Sequence, residues 1–212
     1  MITLSFFGVL FIATAITFFG ESAIQHYPVF ERLEIAAFQT VNAISTAGYN
    51  SIPLSNLTLG VLLTIIFLMY VGAAPSSTGG GMKITTLTAV IAIVKSKVRN
   101  QAKVTYLNKK IPADRLEMAV STFIFYTAIL FFSVFLLSFT ENQSLEKLLF
   151  EATSAIGTVG LSMGITGSLS VWGKIILISI MFIGRVGVIT FGLAILAKKQ
   201  HKKIDNETDL AV

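Results

Sequence analysis

The chain has 212 residues, of which 54% are hydrophobic and only 13% are charged, and its formal net charge is +5. Soluble domains carry about 25% charged residues, so this composition excludes a mainly water-exposed protein and indicates a membrane protein. The absence of cysteine excludes disulfides, iron–sulfur clusters and cysteine-ligated zinc. The two histidines, His26 and His201, lie far apart in the sequence, so a histidine metal site is not expected.

Four apolar segments are long enough to cross a bilayer, which takes about 20 mostly apolar residues in a helix. No basic stretch precedes the first segment and no convincing cleavage site follows it, so it is predicted to be a span and not a signal peptide. The predicted spans are 2–19, 57–74 with an apolar continuation to 94, 118–139 and 171–197.

Two shorter and more amphipathic segments lie between the spans, at 31–45 and 144–157. Both are too short and too polar to cross the bilayer. They are predicted to be re-entrant helices, which are tolerated at membrane depth only when they are buried in protein or line a water-filled cavity. The sequence therefore predicts an all-α membrane protein.

Most of the 16 lysines and arginines lie in or directly beside the loop 95–114 and the tail 199–212. The positive-inside rule places both segments in the cytoplasm of a multi-pass protein of the plasma (inner) membrane. The short helices are then expected to enter from the outer side. We interpret the basic runs as topology signals, with anionic membrane lipid as a secondary contact and no nucleic acid partner. The outer side carries Glu21, Glu31, Glu34, Glu141 and Glu146.

The chain contains an internal repeat, in which TAGYN (46–50) aligns with TVGLS (158–162). The offset between these two motifs, called the repeat spacing below, holds without a gap from residue 34 to residue 80 of the first copy. The repeats, 1–94 and 115–198, share one predicted order: span, short helix, T-x-G loop, span. Repeats in membrane proteins commonly place the substrate path at their interface. Further identical pairs are Glu34 and Glu146, Phe38 and Phe150, Ala43 and Ala155, Ile44 and Ile156, Met69 and Met181, Gly72 and Gly184, Thr78 and Thr190, and Gly80 and Gly192.

The T-x-G pattern suits a monovalent cation. An ion that crosses a bilayer exchanges its water shell for protein oxygens, which rings of backbone carbonyls supply. Glycine permits the dihedrals that turn successive carbonyls toward one axis, the threonine hydroxyl adds an oxygen, and the C-terminal end of the preceding helix adds partial negative charge. One T-x-G alone would indicate a turn, but two in register predict a selectivity filter formed by Thr46, Ala47, Gly48, Thr158, Val159 and Gly160.

The residues that flank the filter threonines and glycines have predicted places as well. The residue between threonine and glycine, Ala47 or Val159, is expected to pack outward and hold its loop. The residues after the two glycines are expected to form the outer mouth of the pore, and they are Tyr49, Asn50, Leu161 and Ser162.

The second span is interrupted by a proline and three glycines at 75–81. Proline removes a backbone donor and clashes with the preceding turn, and each glycine costs a helix about 1 kcal/mol. The helix is expected to open here at membrane depth, and Lys83 is interpreted as the inner end of the reopened helix. A closely packed helix kink is the alternative. A Walker phosphate loop is not expected, because Met82 separates Gly81 from Lys83 and Ile84 follows.

Arg185 lies in the middle of the fourth predicted span. A charge at that depth is costly and usually faces the interior of a helix bundle, where it finds a partner. On this ground alone Arg185 is either a functional residue of the bundle interior or a packing arginine that pairs with a carboxylate.

Taken together, these motifs resemble the Trk/Ktr/HKT family of potassium and sodium transporters. FQTVNAISTAGYN (38–50) resembles the third pore loop of that family and FEATSAIGTVGLS (150–162) the fourth. GAAPSSTGGGMK (72–83) resembles the interrupted second span of the third repeat, and GRVGVITFGLA (184–194) the final span with its arginine. The family builds its pore from four repeats in one chain, so the resemblance implies that this chain is the C-terminal half, with the third and fourth repeats.

The resemblance implies potassium uptake with potassium bound at the filter, no covalent cofactor and no enzymatic activity. It implies that an intramembrane loop below the filter is a mobile gate near Arg185, formed by Pro75, Ser76, Ser77, Thr78, Gly79, Gly80 and Gly81. The other repeats would come from another chain or from a second copy, and complete subunits would form homodimers. Members of the family usually dock onto a cytosolic nucleotide-binding ring, which the basic loop 95–114 would face.

Two other functions stay open on the sequence alone. A two-pore-loop potassium channel would pair two copies of the chain to supply four filters, but it would not need the proline–glycine break or Arg185. A non-conducting membrane subunit or fragment is the second alternative, against which the intact motifs of both repeats argue. Selectivity between potassium and sodium also stays open, because family members that prefer sodium can differ at a filter glycine, typically in the first repeat.

Overall fold

The computed structural model describes residues 2–75, 79–101, 104–106 and 109–187. The described chain is almost entirely helical, which confirms the predicted helical class. A pair of two-residue antiparallel strands, Thr105–Tyr106 and Lys109–Lys110, was not predicted and lies inside the basic loop. The α-helices within the described residues are α1 (Ile2–Gly20), α2 (Val29–Ser45), α3 (Leu59–Val71), α4 (Ile84–Val98), α5 (Ala113–Thr140), α6 (Leu145–Ile156) and α7 (Val171–Val186).

Helix α5 begins five residues before the predicted span because hydropathy marks the membrane-crossing part of a helix and not its ends. Pro112 directly precedes α5, as Pro28 precedes α2. A proline at this position breaks no helical hydrogen bond, since the first turn of a helix has no intrahelical partner for its N–H groups. The helix can therefore begin directly after Pro112, and its first turn carries the charged residues Asp114 and Arg115 outside the apolar run.

Two of the described helices are long and apolar enough to cross a membrane, by length and composition: Thr3–Gly20 and Ala113–Thr140. Helix α5 has 28 residues, which corresponds to about 42 Å at 1.5 Å per residue. Large apolar side chains cover the outside of the molecule, and Phe11, Phe131 and Trp172 are each at least 70% exposed. An outer surface rich in exposed phenylalanine, leucine, isoleucine and valine fits a lipid environment.

The second predicted span is two helices, and its break is wider than 75–81. Helix α3 ends at Val71, and the next residue, Gly72, has a φ of 69°. Only glycine takes this conformation readily, so the break begins before Pro75. The connection folds back onto the end of α3, where the Met82 N–H donates to the carbonyl of Tyr70 at 3.1 Å. The described residues of the connection, 72–75 and 79–83, are irregular rather than part of a kinked helix.

Each half of the chain forms a unit of three mutually packed helices, α1–α2–α3 and α5–α6–α7. The halves are joined by contacts of α3 with α6 and of α4 with α5. Buried side chains from both halves share one core, in which Ile44 and Ile65 of the first half pack with Phe150, Val159 and Leu161 of the second. The junction between the halves is thus a packed interior.

Corresponding elements recur at the repeat spacing that the sequence shows. Helices α3 and α7 begin at Leu59 and Val171, and short 3₁₀ turns precede them at Leu54–Asn56 and Thr166–Ser168. The short helices α2 and α6 end at Ser45 and Ile156, one residue away from that spacing.

A carboxylate ties the helices of each half together at one end of the molecule. Glu21 follows α1 and accepts the backbone N–H of Thr58 at 2.9 Å and its hydroxyl at 3.2 Å. Glu141 follows α5 and accepts the backbone N–H of Ser170 at 3.1 Å, together with the Ser170 hydroxyl. Thr58 and Ser170 are the N-cap residues of α3 and α7, so each carboxylate satisfies a donor at a helix start.

These contacts make a prediction for Glu141→Gln. The hydrogen bond from the Ser170 hydroxyl holds the pKa of Glu141 below its ordinary value of 4.5. A lowered pKa in the folded state stabilises the protein at neutral pH, and this stabilisation is lost as the pH falls through the folded pKa. We expect Glu141→Gln to lower the melting temperature in detergent by about 2 °C at neutral pH and the difference to vanish in acid.

The control is Glu146→Gln, which removes the exposed carboxylate of Glu146 and is expected to leave the melting temperature unchanged. A Glu141→Gln difference that is the same in acid and at neutral pH would show that the charge of Glu141 contributes nothing to this contact.

Candidate functional site

The two T-x-G loops leave the C-terminal ends of α2 and α6 with the same backbone geometry. The φ angles are 60° at Thr46 and 81° at Gly48, and 51° at Thr158 and 90° at Gly160. The glycines take positive φ angles, as expected from their place in the motif. The threonines also adopt the left-handed conformation, which a β-branched residue rarely takes. Backbone in this sparsely populated region persists only when its surroundings hold it there.

A backbone hydrogen bond closes the start of each loop onto its helix. The Ala47 N–H donates to the carbonyl of Asn42 at 3.1 Å, and the Val159 N–H donates to the carbonyl of Ser154 at 2.9 Å. The left-handed threonine turns the chain so that the N–H of the next residue reaches back, as in common helix C-terminal motifs. Each helix therefore ends directly at its T-x-G loop, and the partial negative charge of its C-terminus lies there.

The two loops meet backbone to backbone. A β-carbon placed on Gly48 would overlap the carbonyl oxygen of Val159, and one placed on Gly160 would lie 4.0 Å from the α-carbon of Gly48. The contact therefore requires that residue 48 has no side chain. The structure brings together the two T-x-G motifs, which stand in separate repeats of the sequence.

The glycines of the break lie against the bases of both loops. A β-carbon on Gly79 would lie 2.5 Å from the hydroxyl oxygen of Thr46, and one on Gly80 would overlap the carbonyl oxygen of Gly157 and the hydroxyl oxygen of Thr158. Successive glycines thus touch the first and the second loop. Ser76, Ser77 and Thr78, which the sequence places in the gate, lie outside the described residues.

Lys83 is bound to this glycine segment. Its ammonium group donates to the carbonyl of Gly79, and its backbone is the N-cap of α4, which agrees with its expected place at the start of the reopened helix. Gly81 has a φ of 82° and packs on Gly72, whose α-carbon would lie 2.6 Å from a β-carbon on Gly81. Glycine at both positions allows the segment to fold flat against the end of α3.

Arg185 lies in the last turn of α7 and lines a cavity of about 460 Å³ together with Glu151, Thr158, Gly160 and Ser162. The preceding residue, Gly184, allows close packing, since a β-carbon there would overlap the carbonyl oxygen of Ile156 at the end of α6. The arginine is therefore held close to the second T-x-G loop. The predicted fourth span continues to residue 197, and its part beyond residue 187 lies outside the described residues, as does the tail 199–212.

The flanking residues divide into exposed and buried ones. Tyr49 and Asn50 are exposed, and Ser162 is half-buried. Leu161 was predicted at the mouth but is only 3% exposed and packs in the shared core. Val159 packs in the same core, as expected, whereas Ala47 is exposed.

Two residues of this site were missed by the sequence analysis, Gln39 on α2 and Glu151 on α6. Both side chains are buried, and both hydrogen-bond the chain just past their T-x-G loop. They occupy equivalent positions at the repeat spacing. A comparison of the repeats that also considered unlike pairs would have found them, because Gln39 and Glu151 are polar residues at equivalent positions of the two short helices.

The oxygen atoms at the meeting point are threonine hydroxyls and backbone carbonyls. Among the described residues, no group of three or more histidine, aspartate or glutamate side chains could hold a metal ion. Neutral oxygens of this kind suit the weak and reversible coordination of a monovalent cation that is passing through.

Comparison with known proteins agrees with this chemistry. The family model TrkH, described as cation transport protein, matches residues 1–206. The Ktr system potassium uptake protein B of Bacillus subtilis is 34% identical over 84% of this chain and 40% of its own length. The protein of the same name from Vibrio alginolyticus is 37% identical over 74% of this chain and 34% of its own length. The potassium/sodium uptake protein NtpJ of Enterococcus hirae is 34% identical over 79% of this chain and 38% of its own length.

The fold also matches a solved structure. The crystal structure of the potassium transporter TrkH from Vibrio parahaemolyticus superimposes with a TM-score of 0.74 at 20% sequence identity, covering 91% of this chain and 43% of that chain. The chain thus spans about two fifths of the length of the relatives that it matches.

Proposed function

Because the chain belongs to the TrkH family of cation transport proteins, we propose that it conducts monovalent cations, potassium foremost, into the cell across the plasma membrane. The observation that carries this proposal is the contact of the two T-x-G backbones, in which Gly48 lies directly against the carbonyl of Val159. Two loops of one pattern that meet without side chains between them offer a cation a path lined by backbone oxygens.

We infer that the chain consists of two tandem span–pore helix–span repeats, 1–94 and 115–198. The recurrence of helices and 3₁₀ turns at the repeat spacing supports this division. Helices α2 and α6 are the pore helices, each bounded by two spans. The basic loop 95–114 and the tail 199–212 lie in the cytoplasm in this topology, which rests on their positive charge.

The proposed filter consists of Thr46, Ala47 and Gly48 with Thr158, Val159 and Gly160. Carbonyl oxygens of these residues replace the water shell of the ion, and the threonine hydroxyls add oxygens at the inner end. The C-terminal ends of both pore helices favour a cation there. Tyr49, Asn50 and Ser162 belong to the outer mouth in this proposal.

The proposed gate is the segment 75–81, together with Arg185. Its support is the position of Gly79 and Gly80 against the inner ends of both filter loops, where these two glycines block the path. Displacing the segment breaks the hydrogen bond from Lys83 to Gly79. Arg185 adds a positive charge beside the second loop, which opposes the passage of a cation until the gate moves.

Two filter loops do not surround an ion, and the chain spans about two fifths of its relatives' length. We propose that two further repeats complete the pore, that complete subunits pair as homodimers, and that a cytosolic nucleotide-binding ring docks on the basic loop. Lys95, Lys97 and Arg99 are exposed there. Sodium is the second candidate ion, because the name of the Enterococcus hirae relative includes both potassium and sodium.

Growth of cells that lack their own potassium uptake systems tests this function. The chain is expressed alone and together with the two repeats that complete the pore. We expect growth at low potassium only with the added repeats. Growth with the chain alone would show that two copies build a pore, as in a two-pore-loop channel. No growth in either case, with both chains present in the membrane, would contradict conduction.

A further inference from the structure

We propose that Glu151 is a positioning residue for the second filter loop, and that its negative charge strengthens the binding of a cation in the filter. The equivalent residue of the first loop is the neutral Gln39. The inference rests on the proposed filter function. It adds to the filter a residue, Glu151, that lies outside the T-x-G motif.

In both loops, a side chain of the pore helix accepts a backbone hydrogen bond from the chain just past the filter glycine. This contact is called the brace below. The side-chain oxygen of Gln39 accepts the backbone N–H of Ser51 at 3.3 Å. The Oε1 atom of Glu151 accepts the backbone N–H of Met163 at 2.9 Å. In each case the acceptor lies on the pore helix and the donor lies twelve residues further on, just past the filter glycine. Each loop is thus tied to its helix at both ends, by the backbone below and by this side chain above.

The brace of the second loop is much the stronger. Glu151 is 5% exposed, and it also accepts the hydroxyl of Ser162 at 2.6 Å and that of Thr166 at 3.1 Å. In each of these hydrogen bonds the carboxylate of Glu151 is the acceptor, because a carboxylate oxygen can only accept. Hydrogen bonds to an ionic acceptor are roughly twice as strong as those between neutral groups. The second loop is therefore held by three donors from the outer mouth.

The brace of the first loop is incomplete. Gln39 is fully buried, and its Nε2 atom has no hydrogen-bond partner in the described part of the chain. An amide donor that is buried without a partner lowers stability. A carboxylate at this position would have no such donor to satisfy, so neutrality at residue 39 is not explained by its hydrogen bonds.

The charge of Glu151 acts on the filter through the shared cavity. Glu151 lines this cavity with Thr158 and Gly160 of the second loop, and Arg185 lines it as well. Charges interact more strongly in a partly buried site than in water. A cation in the filter is therefore attracted by Glu151 from behind the second loop and repelled by Arg185, whereas the first loop has only the neutral amide of Gln39 behind it.

Isosteric exchange separates the charge from the brace. Glu151→Gln keeps the shape and one acceptor oxygen but removes the charge, and Glu151→Ala removes both. Gln39→Glu adds a charge at the equivalent position of the first loop. Glu146→Gln is the matched control, because Glu146 lies on the same helix and is exposed.

The test is rubidium uptake by cells that express each variant in the complete pore. We expect Glu151→Gln to raise the KM for rubidium about tenfold with a smaller effect on the maximal rate, and to let sodium compete better. Glu151→Ala is expected to lower the maximal rate as well. Gln39→Glu is expected to lower the KM, and Glu146→Gln to change neither quantity. A second readout is the potassium-dependent rise of the melting temperature of the purified protein, which Glu151→Gln is expected to reduce.

The inference and the proposed function fail in different ways. If the wild type takes up rubidium and Glu151→Gln has the wild-type KM and the same sodium competition, the inference is overturned and the function stands. An equal change in Glu151→Gln and Glu146→Gln also overturns it. If Glu151→Gln does not fold, the inference is overturned by a KM for rubidium in Gln39→Glu that equals the wild-type KM. If the wild type takes up no rubidium, the potassium-dependent rise of its melting temperature decides. If that rise is absent too, both the inference and the proposed function are contradicted.

Discussion

Gly48→Ser is expected to lower potassium uptake by the complete pore at least about tenfold. A side chain at a φ of 81° is strained, at a cost of roughly 1–3 kcal/mol, and each 1.4 kcal/mol is a factor of about ten. In addition, the new β-carbon would overlap the carbonyl oxygen of Val159. The backbone fixes the position of a β-carbon, and the atom that it meets is a backbone oxygen. No side-chain rotation relieves the overlap, and the two loops must separate.

The matched control is Gly60→Ser on α3, since a β-carbon at Gly60 would have no atom within 4 Å and its φ is not positive. Uptake is measured with radioactive rubidium at equal amounts of protein in the membrane. Equal uptake by Gly48→Ser and Gly60→Ser would contradict the contact between the two loops.

Gly80→Ala is expected to lower the melting temperature by about 5 °C and to reduce uptake with it. Its β-carbon would overlap the carbonyl of Gly157 and the hydroxyl of Thr158 at the inner end of the second loop. Overpacking of this kind costs typically 1–3 kcal/mol, and in a chain of this size about 1 kcal/mol shifts the melting temperature by roughly 2–4 °C. The inner end of the filter must shift as well, and uptake falls for that reason.

Gly167→Ala is the control for this exchange, because Gly167 has open space around it in the outer turn before α7. Both variants are compared in the same detergent by thermal unfolding. A melting temperature of Gly80→Ala equal to that of Gly167→Ala would show that the glycine segment does not rest against the filter.

The positions of the helices follow from the apolar pattern. The first span was predicted at 2–19 and is found at Ile2–Gly20, and the end of the first short helix was predicted at residue 45, where α2 ends. A long apolar run without proline leaves a membrane segment no alternative to a helix, since every backbone group must find its partner internally. Helix positions are therefore readable from local sequence alone.

The beginning of the break depends on tertiary contacts and was misplaced for that reason. Gly72 stands in an apolar run, and the residues that approach it, Gly80 and Gly81, lie beyond the proline in the sequence. The left-handed threonines at 46 and 158 are a similar case. Threonine disfavours this conformation, so its adoption depends on the surrounding loops and is invisible to local propensity.

Glu151 and Gln39 escaped the sequence analysis because the repeat was recognised by identical residues. The two side chains differ, and their partners at Met163 and Ser51 differ as well. What recurs is a hydrogen bond from a backbone N–H to a side chain twelve residues earlier. Because almost every residue has a backbone N–H, the sequence does not reveal such a donor. The hydrogen bond from the backbone N–H of Ser170 to Glu141 was missed for the same reason.

Rubidium flux into liposomes that contain the purified complete pore tests conduction through the two T-x-G loops most directly. The wild type is predicted to take up rubidium, with potassium competing better than sodium, and Gly48→Ser and Gly160→Ser are each predicted to abolish most of the flux. Undiminished flux with both substitutions combined, or no flux from correctly inserted wild-type protein, would contradict the assignment of the filter.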